Sequence, residues 1–383
     1  MNSILNYAKK EATPSKKLQE KKQRVAKKAS DLVSQCIKKY AQVVGFELGG
    51  SYAKGTWLPE KADIDIFVKF NKKTPEKNFR SIGTEIGFQS LKKYRPYTRH
   101  AEHPFVEAII DGTRVNIVPC YDVNKGEWQS ATDRSVYHTK FMSQKLSDSL
   151  KEEVRILKKF FFHIDVYGAE IAKEGFSGYV SEVLISYFGS FEKTIKKISE
   201  LKKGQVVGKT VKKFDSPIVI IDPVDNNRNL GTAISMDNLG RFVLASRVFL
   251  KKPSKKFFNK PISKRIMKNN DKIVIVQFKV KERSDDVVWG QIKRASNALK
   301  TQLELGGFTV LRNSSVKDEK ENAALIFLLH AKKIENSLVR SGPEISSKEH
   351  CEKFIAVNLK KASLYGLMRK VKYNPYRNEN MMM

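Results

Sequence analysis

Apolar and polar residues change their spacing along the first third of the chain, and each spacing predicts a different element. Apolar residues recur every three or four positions over residues 16–40, which predicts an amphipathic helix with a basic polar face. Segments with strand composition or strict alternation follow at residues 43–48, 63–70 and 105–121. The last of these contains Asp111-Gly112, a pair that is typical of a hairpin turn. Residues 76–94 suit a helix, so this region is predicted to form a small mixed sheet backed by helices.

The spacing becomes helical from about residue 143 and mixed again from residue 272. Residues 146–164 and 176–198 carry apolar faces with the helical period. Further along, a strand-like segment, a helix-like segment over 287–307 and two more strand-like segments follow in β-α-β-β order, which is typical of a ferredoxin-like unit. The whole chain is therefore predicted to be a multidomain α+β protein.

The strongest signal in the composition is positive charge, because the 383 residues carry a formal net charge of +31. Such an excess predicts a polyanionic partner. Nucleic acid fits best, since no apolar run is long enough to cross a bilayer and no membrane partner is expected. The N-terminus lacks the apolar core of a secretory signal, which favours a cytoplasmic protein. Charge alone does not distinguish an enzyme from a protein that only binds RNA.

Candidate chemistry concentrates in a glycine-rich turn and the strand that follows it. Gly50 and Ser51 can offer backbone N–H groups and a hydroxyl to phosphates. Asp63 and Asp65 are two residues apart on a predicted strand, so their side chains point the same way. Paired carboxylates suit Mg²⁺, which prefers oxygen ligands. A phosphate-binding turn next to a magnesium site is what a nucleotidyl transferase needs.

The segment GGSYAKGTWLPEKADIDIF at residues 49–67 resembles the signature of the nucleotidyltransferase superfamily, and its TWL form resembles that of archaeal class I CCA-adding enzymes. Further matches to that family follow in order: AEHPF (101–105), VPCY (118–121), SATDRSVYHTKF (130–141), EVRILKKF (153–160), VYGAE (166–170), GFSGYVSEVLI (175–185), DPVDNNRN (222–229) and GP (342–343). The resemblance extends over nearly the whole chain. It implies a nucleotidyltransferase catalytic head (1–142), a helical neck that helps bind nucleotide (143–255), a ferredoxin-like body (256–340) and a shortened tail (341–383).

The resemblance also implies an activity and its partners. It implies template-independent addition of C, C and A to the 3′ end of tRNA from CTP and ATP, with release of pyrophosphate. The basic surface would contact the acceptor stem and T arm of tRNA. The sequence does not set the oligomeric state and leaves a homodimer open.

Site residues follow from the same resemblance, position by position. Asp63 and Asp65 would hold the metal ion. The residues implied to contact the nucleotide are Gly50, Ser51, Lys54, Glu102, His103, His138, Lys158, Tyr167 and Arg228. Arg228 would present hydrogen bonds to the incoming base. Lys54 stands where the family usually has arginine, which keeps the charge and loses the two-pronged donor geometry.

The chain departs from the family pattern at Asn116, which stands where a third catalytic carboxylate is expected. Asparagine offers one neutral oxygen, carries no charge and accepts no proton. We expect metal-assisted activation of the attacking hydroxyl to weaken. Three accounts stay open: an engineered change, a natural change with reduced activity or a recruited carboxylate, or a protein that only binds tRNA. Another template-free nucleotidyltransferase, such as a poly(A) polymerase, is the remaining alternative.

Overall fold

The structure is a computed structural model of the whole chain. It describes residues 1–99, 104–202, 204–210, 212–259, 272–281, 283–318, 321–333, 340–344, 346–358, 364–367 and 370–373. The chain divides into two compact units, one of Met1–Lys264 with Arg283–Trp289 and one of Arg265–Glu282 with Gly290–Met383. The four finer domains given above, and the three boundaries between them, stay predictions.

The first part of the chain forms a five-stranded mixed sheet with helices around it. Its elements are α1 (Asn2–Ala12), α2 (Lys16–Ile37), β1 (Val43–Gly49), α3 (Gly50–Lys54), β2 (Ile64–Asn71), α4 (Glu76–Leu91), β3 (Tyr97–Arg99), β4 (Phe105–Ile110) and β5 (Thr113–Asp122). The strand order is β1-β2-β5-β4-β3. The β2 and β5 strands pair in parallel, and every other pair in this sheet is antiparallel.

The two faces of this sheet differ because side chains alternate along each strand. On one face Ile64, Ile66, Val68 and Phe70 of β2 are fully buried against α2 and α4. The opposite face carries Asp65 and Asn116 and, further along the same strands, a smaller buried cluster of Phe67, Val118 and Cys120. The predicted mixed sheet backed by helices is therefore confirmed. The face opposite α2 and α4 is the one that carries candidate functional side chains.

Helices dominate the next part of the chain. They are α5 (Asp133–Lys145), α6 (Asp148–His163), α7 (Gly178–Phe188), α8 (Phe191–Ser199) and α9 (Met236–Lys251), with the short parallel strands β6 (Val206–Val207) and β7 (Val219–Ile220) between α8 and α9. The side chains of Ser147, Ser177, Ser190 and Ser235 accept a hydrogen bond from a backbone N–H in the first turn of α6, α7, α8 and α9. These caps satisfy donors that a helix leaves unpaired, and they fix where each helix begins.

The second unit contains β8 (Ile273–Lys279), most of α10 (Asp285–Leu305), β9 (Val310–Lys317) and β10 (Asn322–Leu329), and then β11 (Arg340–Ser341), α11 (Lys348–Asn358), β12 (Leu364–Leu367) and β13 (Lys370–Tyr373). The β8, β10 and β9 strands form an antiparallel sheet in that order. Asn313 of β9 donates a hydrogen bond of 3.0 Å to Ser296 of α10. The predicted β-α-β-β order is present, and the α+β class is confirmed. Within the described residues no helix is long and apolar enough to cross a membrane.

The helical part of the first unit packs around an aromatic cluster centred on Phe160 of α6. This ring contacts the rings of Phe191, Phe242, Phe249, Phe257 and Phe258. Because interiors are close-packed, a cavity at this point cannot be filled without moving several rings.

We expect Phe160→Ala to lower the free energy of unfolding by about 3–5 kcal/mol, through lost burial and the cavity that remains. Chemical denaturation followed by circular dichroism measures the change. Phe162→Ala on the same helix is the matched control, since Phe162 is 42% exposed. A loss at Phe160 no larger than that at Phe162 would contradict the assignment of this core.

Candidate functional site

The polar face of the sheet brings three side chains into one row across three strands. Asp65 of β2 is paired with Asn116 of β5, and Asn116 is paired with Glu107 of β4. Residues paired across a ladder point to the same face. The amide Nδ2 of Asn116 donates a hydrogen bond of 2.8 Å to Oδ1 of Asp65. Two carboxylates and one amide therefore share this face.

A second row lies beside the first. Asp63 immediately precedes β2, and its Oδ2 lies 3.5 Å from a guanidinium nitrogen of Arg114, two residues before Asn116. Arg114 also lies 3.3 Å from Glu107 of the first row, so Asp63 lies on the same side of the sheet as Asp65. The same-face arrangement predicted for the two aspartates is what the structure contains.

The glycine-rich turn lies directly against these carboxylates. Gly50 has a φ of +66°, a conformation that favours glycine. A Cβ at this position would overlap the carboxylate of Asp65. Only a glycine lets the backbone approach Asp65 this closely, and Ser51 follows in the first turn of α3.

Burial raises the pKa of the Asp65 carboxyl, and the negative charges of Asp63 and Glu107 raise it further, while the hydrogen bond from Asn116 opposes the shift. The described residues contain no group of three or more His, Cys, Asp or Glu side chains placed to hold a metal ion. The Oδ1 atom of Asn116, however, is buried and has no hydrogen-bond partner among the described residues. An all-oxygen set with one unpaired buried acceptor fits a hard divalent cation.

A buried ion cluster ties the turn to the helices of the same unit. Glu182 of α7 is fully buried and accepts hydrogen bonds of 2.6 Å from Lys54, 3.0 Å from Lys158 and one from the Thr56 hydroxyl. Burial alone would raise the pKa of Glu182, but Lys54 and Lys158 outweigh it and lower the pKa to about 2. Burial also lowers the pKa of Lys158 to about 8, although Glu182 opposes that shift.

The structure places Lys158 where it has little contact with solvent. The residue is 1% exposed, and its ammonium group donates to the carbonyl and hydroxyl of Thr56 as well as to Glu182. A lysine ammonium has three donors, so all three are engaged here. Direct contact with a phosphate, as predicted from the sequence, requires exchange of one of these bonds.

A second polar cluster is centred on Asp222, which follows β7. Its Oδ2 lies 2.8 Å from Nε2 of His138 and 3.2 Å from Arg228, and its Oδ1 accepts a hydrogen bond of 3.0 Å from the Tyr179 hydroxyl. The rings of His138 and Tyr179 stack with centroids 3.9 Å apart. Burial lowers the pKa of His138 even though Asp222 opposes the shift.

This cluster borders a cavity of roughly 810 Å³ that is large enough for a nucleotide. His138, Tyr179, Arg228, Arg134 and Asp225 are among the residues that line it. Arg134 of α5 and Asp225 form an ion pair of 2.9 Å at its edge. His138 and Arg228, predicted from separate segments of the sequence, therefore meet at one cavity.

Three predicted nucleotide contacts remain: Tyr167, Glu102 and His103. Tyr167 is partly buried against the helical core, with its hydroxyl next to Gly178 at the start of α7. Burial raises the pKa of Tyr167. Glu102 and His103 lie outside the described residues.

Sequence analysis missed three acidic residues that organise these clusters. Glu182 and Asp222 both stand inside quoted motifs, yet neither was singled out. Glu107 interrupts an apolar strand, which was a usable signal for a functional face. The hairpin turn at Asp111-Gly112 sets Glu107 opposite Asn116, but only the pairing of β5 with β2 brings Asp65 into the same row.

Comparison with known proteins gives three family matches that together extend over most of the chain. Residues 30–160 match "Nucleotidyltransferase domain", residues 152–259 match "tRNA nucleotidyltransferase, second domain" and residues 270–377 match "CCA-adding enzyme, C-terminal domain".

Curated relatives match over greater lengths. The CCA-adding enzyme of Pyrobaculum neutrophilum is 36% identical over 355 residues, which cover 90% of this chain and 83% of the relative. The CCA-adding enzyme of Methanothermobacter thermautotrophicus is 31% identical over 345 residues, which cover 85% and 76%. The resemblance to archaeal CCA-adding enzymes is thereby confirmed.

Solved structures share the fold at low identity. A structure of the Cid1 poly(U) polymerase bound to Mg and 3′-dATP has a TM-score of 0.52 at 14% identity, covering 67% of this chain and 99% of that one. The structure of E. coli MS115-1 CdnC with ATP has a TM-score of 0.50 at 15% identity, covering 67% and 94%. At this identity the likeness concerns the fold alone.

We expect Glu182→Gln to lower the free energy of unfolding by about 3–5 kcal/mol at pH 7, because it leaves two buried lysines without their counter-charge. A carboxylate with a lowered pKa stabilises the fold fully above its ordinary pKa and loses that effect as pH falls towards about 2. The difference between wild type and variant should therefore persist from pH 7 to about 5 and shrink below, as the wild-type carboxyl takes up a proton. Urea denaturation at several pH values measures it.

Glu200→Gln is the matched control, because it makes the same change at a glutamate whose side chain is exposed. A Glu182→Gln effect as small as that of the control would mean that the ion cluster contributes nothing to holding these elements together.

Proposed function

The chain belongs to the CCA-adding enzyme family, and from this membership we propose that it adds C, C and A to the 3′ end of tRNA from CTP and ATP without a template, releasing pyrophosphate. One observation carries the proposal: a chain 36% identical to a CCA-adding enzyme places two aspartates on one face, against a glycine turn. The poly(A) polymerase and binder-only alternatives lack comparable support.

Divalent metal is typical of nucleotidyltransferases of this kind, and we propose Mg²⁺ in this chain. Asp63 and Asp65 would hold it, with Asn116 offering its unpaired oxygen. A bound Mg²⁺ neutralises charge on the triphosphate and lowers the pKa of the attacking hydroxyl. The side chains themselves orient the ion, and the close approach of Gly50 brings the turn backbone and the metal ligands together.

Nucleotide binding is proposed for the turn and for the cavity near Asp222. Lys54 gives one hydrogen bond to Glu182, so its remaining donors suit a phosphate, together with Ser51. Lys158 would act mainly through its charge, because its donors are engaged. Tyr167 would pack near the nucleotide.

Base selection is proposed for Arg228, whose guanidinium stands at the cavity and is oriented by Asp222. His138 is held by the same carboxylate and stacks on Tyr179, which fixes its ring. A rigid donor set costs less entropy on binding than a flexible one. Glu102 and His103 keep their predicted place near the nucleotide.

The RNA partner is proposed to be the acceptor stem and T arm of tRNA. The net charge of +31 supports strong contact with phosphates, which A-form RNA presents without regard to sequence. A cytoplasmic location is part of the same proposal, and a homodimer stays open.

The activity is tested by incorporation of labelled CMP and AMP into tRNA that lacks its CCA end. We expect Asp63→Asn and Asp65→Asn each to lower the rate by about 100-fold or more, because each removes a proposed metal ligand. Asp111→Asn is the matched control: it removes the same charge, and asparagine tolerates the positive φ of this turn. An open-ended A tail, or no incorporation by the wild-type chain, would refute CCA addition.

Contact limited to the acceptor stem and T arm predicts that a minihelix of those two parts binds about as tightly as full-length tRNA, within about threefold. Filter binding at fixed salt measures both affinities, since phosphate contacts make them salt-dependent. Full-length tRNA binding at least about tenfold more tightly than the minihelix would place important contacts elsewhere on the tRNA.

A further inference from the structure

A third catalytic carboxylate is expected at position 116, where this chain has asparagine. The row formed by Asp65, Asn116 and Glu107 suggests how its function could be supplied. Resting on the proposed function, we propose that two side chains divide the task of the third carboxylate: Asn116 offers the oxygen to the metal, and Glu107 supplies the negative charge beside it. Neither side chain alone has both properties.

The orientation of Asn116 supports the first half of the proposal. Its Nδ2 donates to the carboxylate of Asp65, and a flipped amide would bring two oxygens together there. The nitrogen therefore takes the contact with Asp65, and Oδ1 stays unpaired within the described part of the chain. Asn116 is 8% exposed, and its Oδ1 atom is buried with no hydrogen-bond partner among the described residues. A buried acceptor left unpaired is unfavourable, and a cation at this position would give it a partner.

The position of Glu107 supports the second half. It is paired with Asn116 across the β4–β5 ladder, where Cβ atoms are about 4.5–5.5 Å apart, and it is 3% exposed. A buried charge acts over longer distances than an exposed one because water screens it less. Its charge therefore reaches the position where a carboxylate at residue 116 would act.

One cation already connects Glu107 with a proposed metal ligand. Arg114 lies 3.3 Å from Glu107 through Nε and 3.5 Å from Asp63 through a terminal nitrogen. The Arg114 side chain is 44% exposed, and ion pairs of exposed side chains contribute little to stability. A divalent cation can thus compete with Arg114 for Asp63. The negative charge of Glu107 also attracts such a cation.

Other partners of Glu107 define the competing explanation. Arg99 lies 3.5 Å from its carboxylate, and the hydroxyl of Tyr97 donates to it. Glu107 could serve only to hold these side chains. In that case, removing its charge would alter stability and leave the metal affinity of the folded protein unchanged.

The experiment is a titration of the full chain with Mn²⁺, a paramagnetic probe that takes oxygen ligands, followed by electron paramagnetic resonance. It is run with and without CTP and with no RNA primer, so that no reaction occurs. We expect Glu107→Gln to weaken Mn²⁺ binding about tenfold or more, the range typical of groups that support metal ligands. Adding Asn116→Asp to Glu107→Gln should restore affinity to within about threefold of wild type, because the charge returns to the same face.

Glu85→Gln is the matched control, since Glu85 also accepts a tyrosine hydroxyl, at 3.0 Å, and lies on α4 at the other face of the sheet. Unchanged Mn²⁺ affinity in a folded Glu107→Gln variant would overturn the proposal. If Glu107→Gln alone does not fold, the double variant decides: affinity near wild type supports the proposal, and a loss beyond about tenfold overturns it.

CMP incorporation by the wild-type chain, measured separately, distinguishes this inference from the proposed function. Incorporation by wild type together with unchanged Mn²⁺ affinity in Glu107→Gln would refute only the division of roles. Absence of incorporation with the expected loss of Mn²⁺ affinity would refute only the CCA-adding activity.

Discussion

The parallel register between β2 and β5 is the constraint on which the polar face of the sheet depends. It sets Asp65 opposite Asn116 and leaves the intervening isoleucines in the core. A shift by one residue would turn Asp65 into the apolar core and bring an isoleucine to the polar face. The energy that holds the register comes from burial of the apolar face, so the same packing that folds the sheet also aims its carboxylates.

The Glu182 cluster connects this face to the helices behind the glycine turn. Two lysines share one buried carboxylate, and the hydroxyl of Thr56 satisfies it further. The cluster keeps a net positive charge next to the turn, where a triphosphate is proposed to bind. A buried charge without its partners is strongly unfavourable, so each member of this cluster must stay paired. Lys158 accordingly has all three of its donors engaged.

Asn116 gives the row an uncharged side chain between two carboxylates. The side chain still faces Asp65, and its amide makes a hydrogen bond that two facing carboxylates could not make without a shared proton or a cation. With Glu107 next in the row, the face still carries three carboxylates in Asp63, Asp65 and Glu107. The polar face of the sheet thus combines an unpaired oxygen from one strand with a charge from its neighbour.

Local order along the chain determined the turn of Gly50 and Ser51, the same-facing pair Asp63 and Asp65 and the α+β class, because each depends on residues close in sequence. The family motifs added His138 and Arg228 as separate predictions. Only the tertiary structure placed Asn116 beside Asp65 and joined His138 to Asp222, 84 residues away. Strand pairing and helix packing decide such contacts, and both depend on how distant apolar faces fit together.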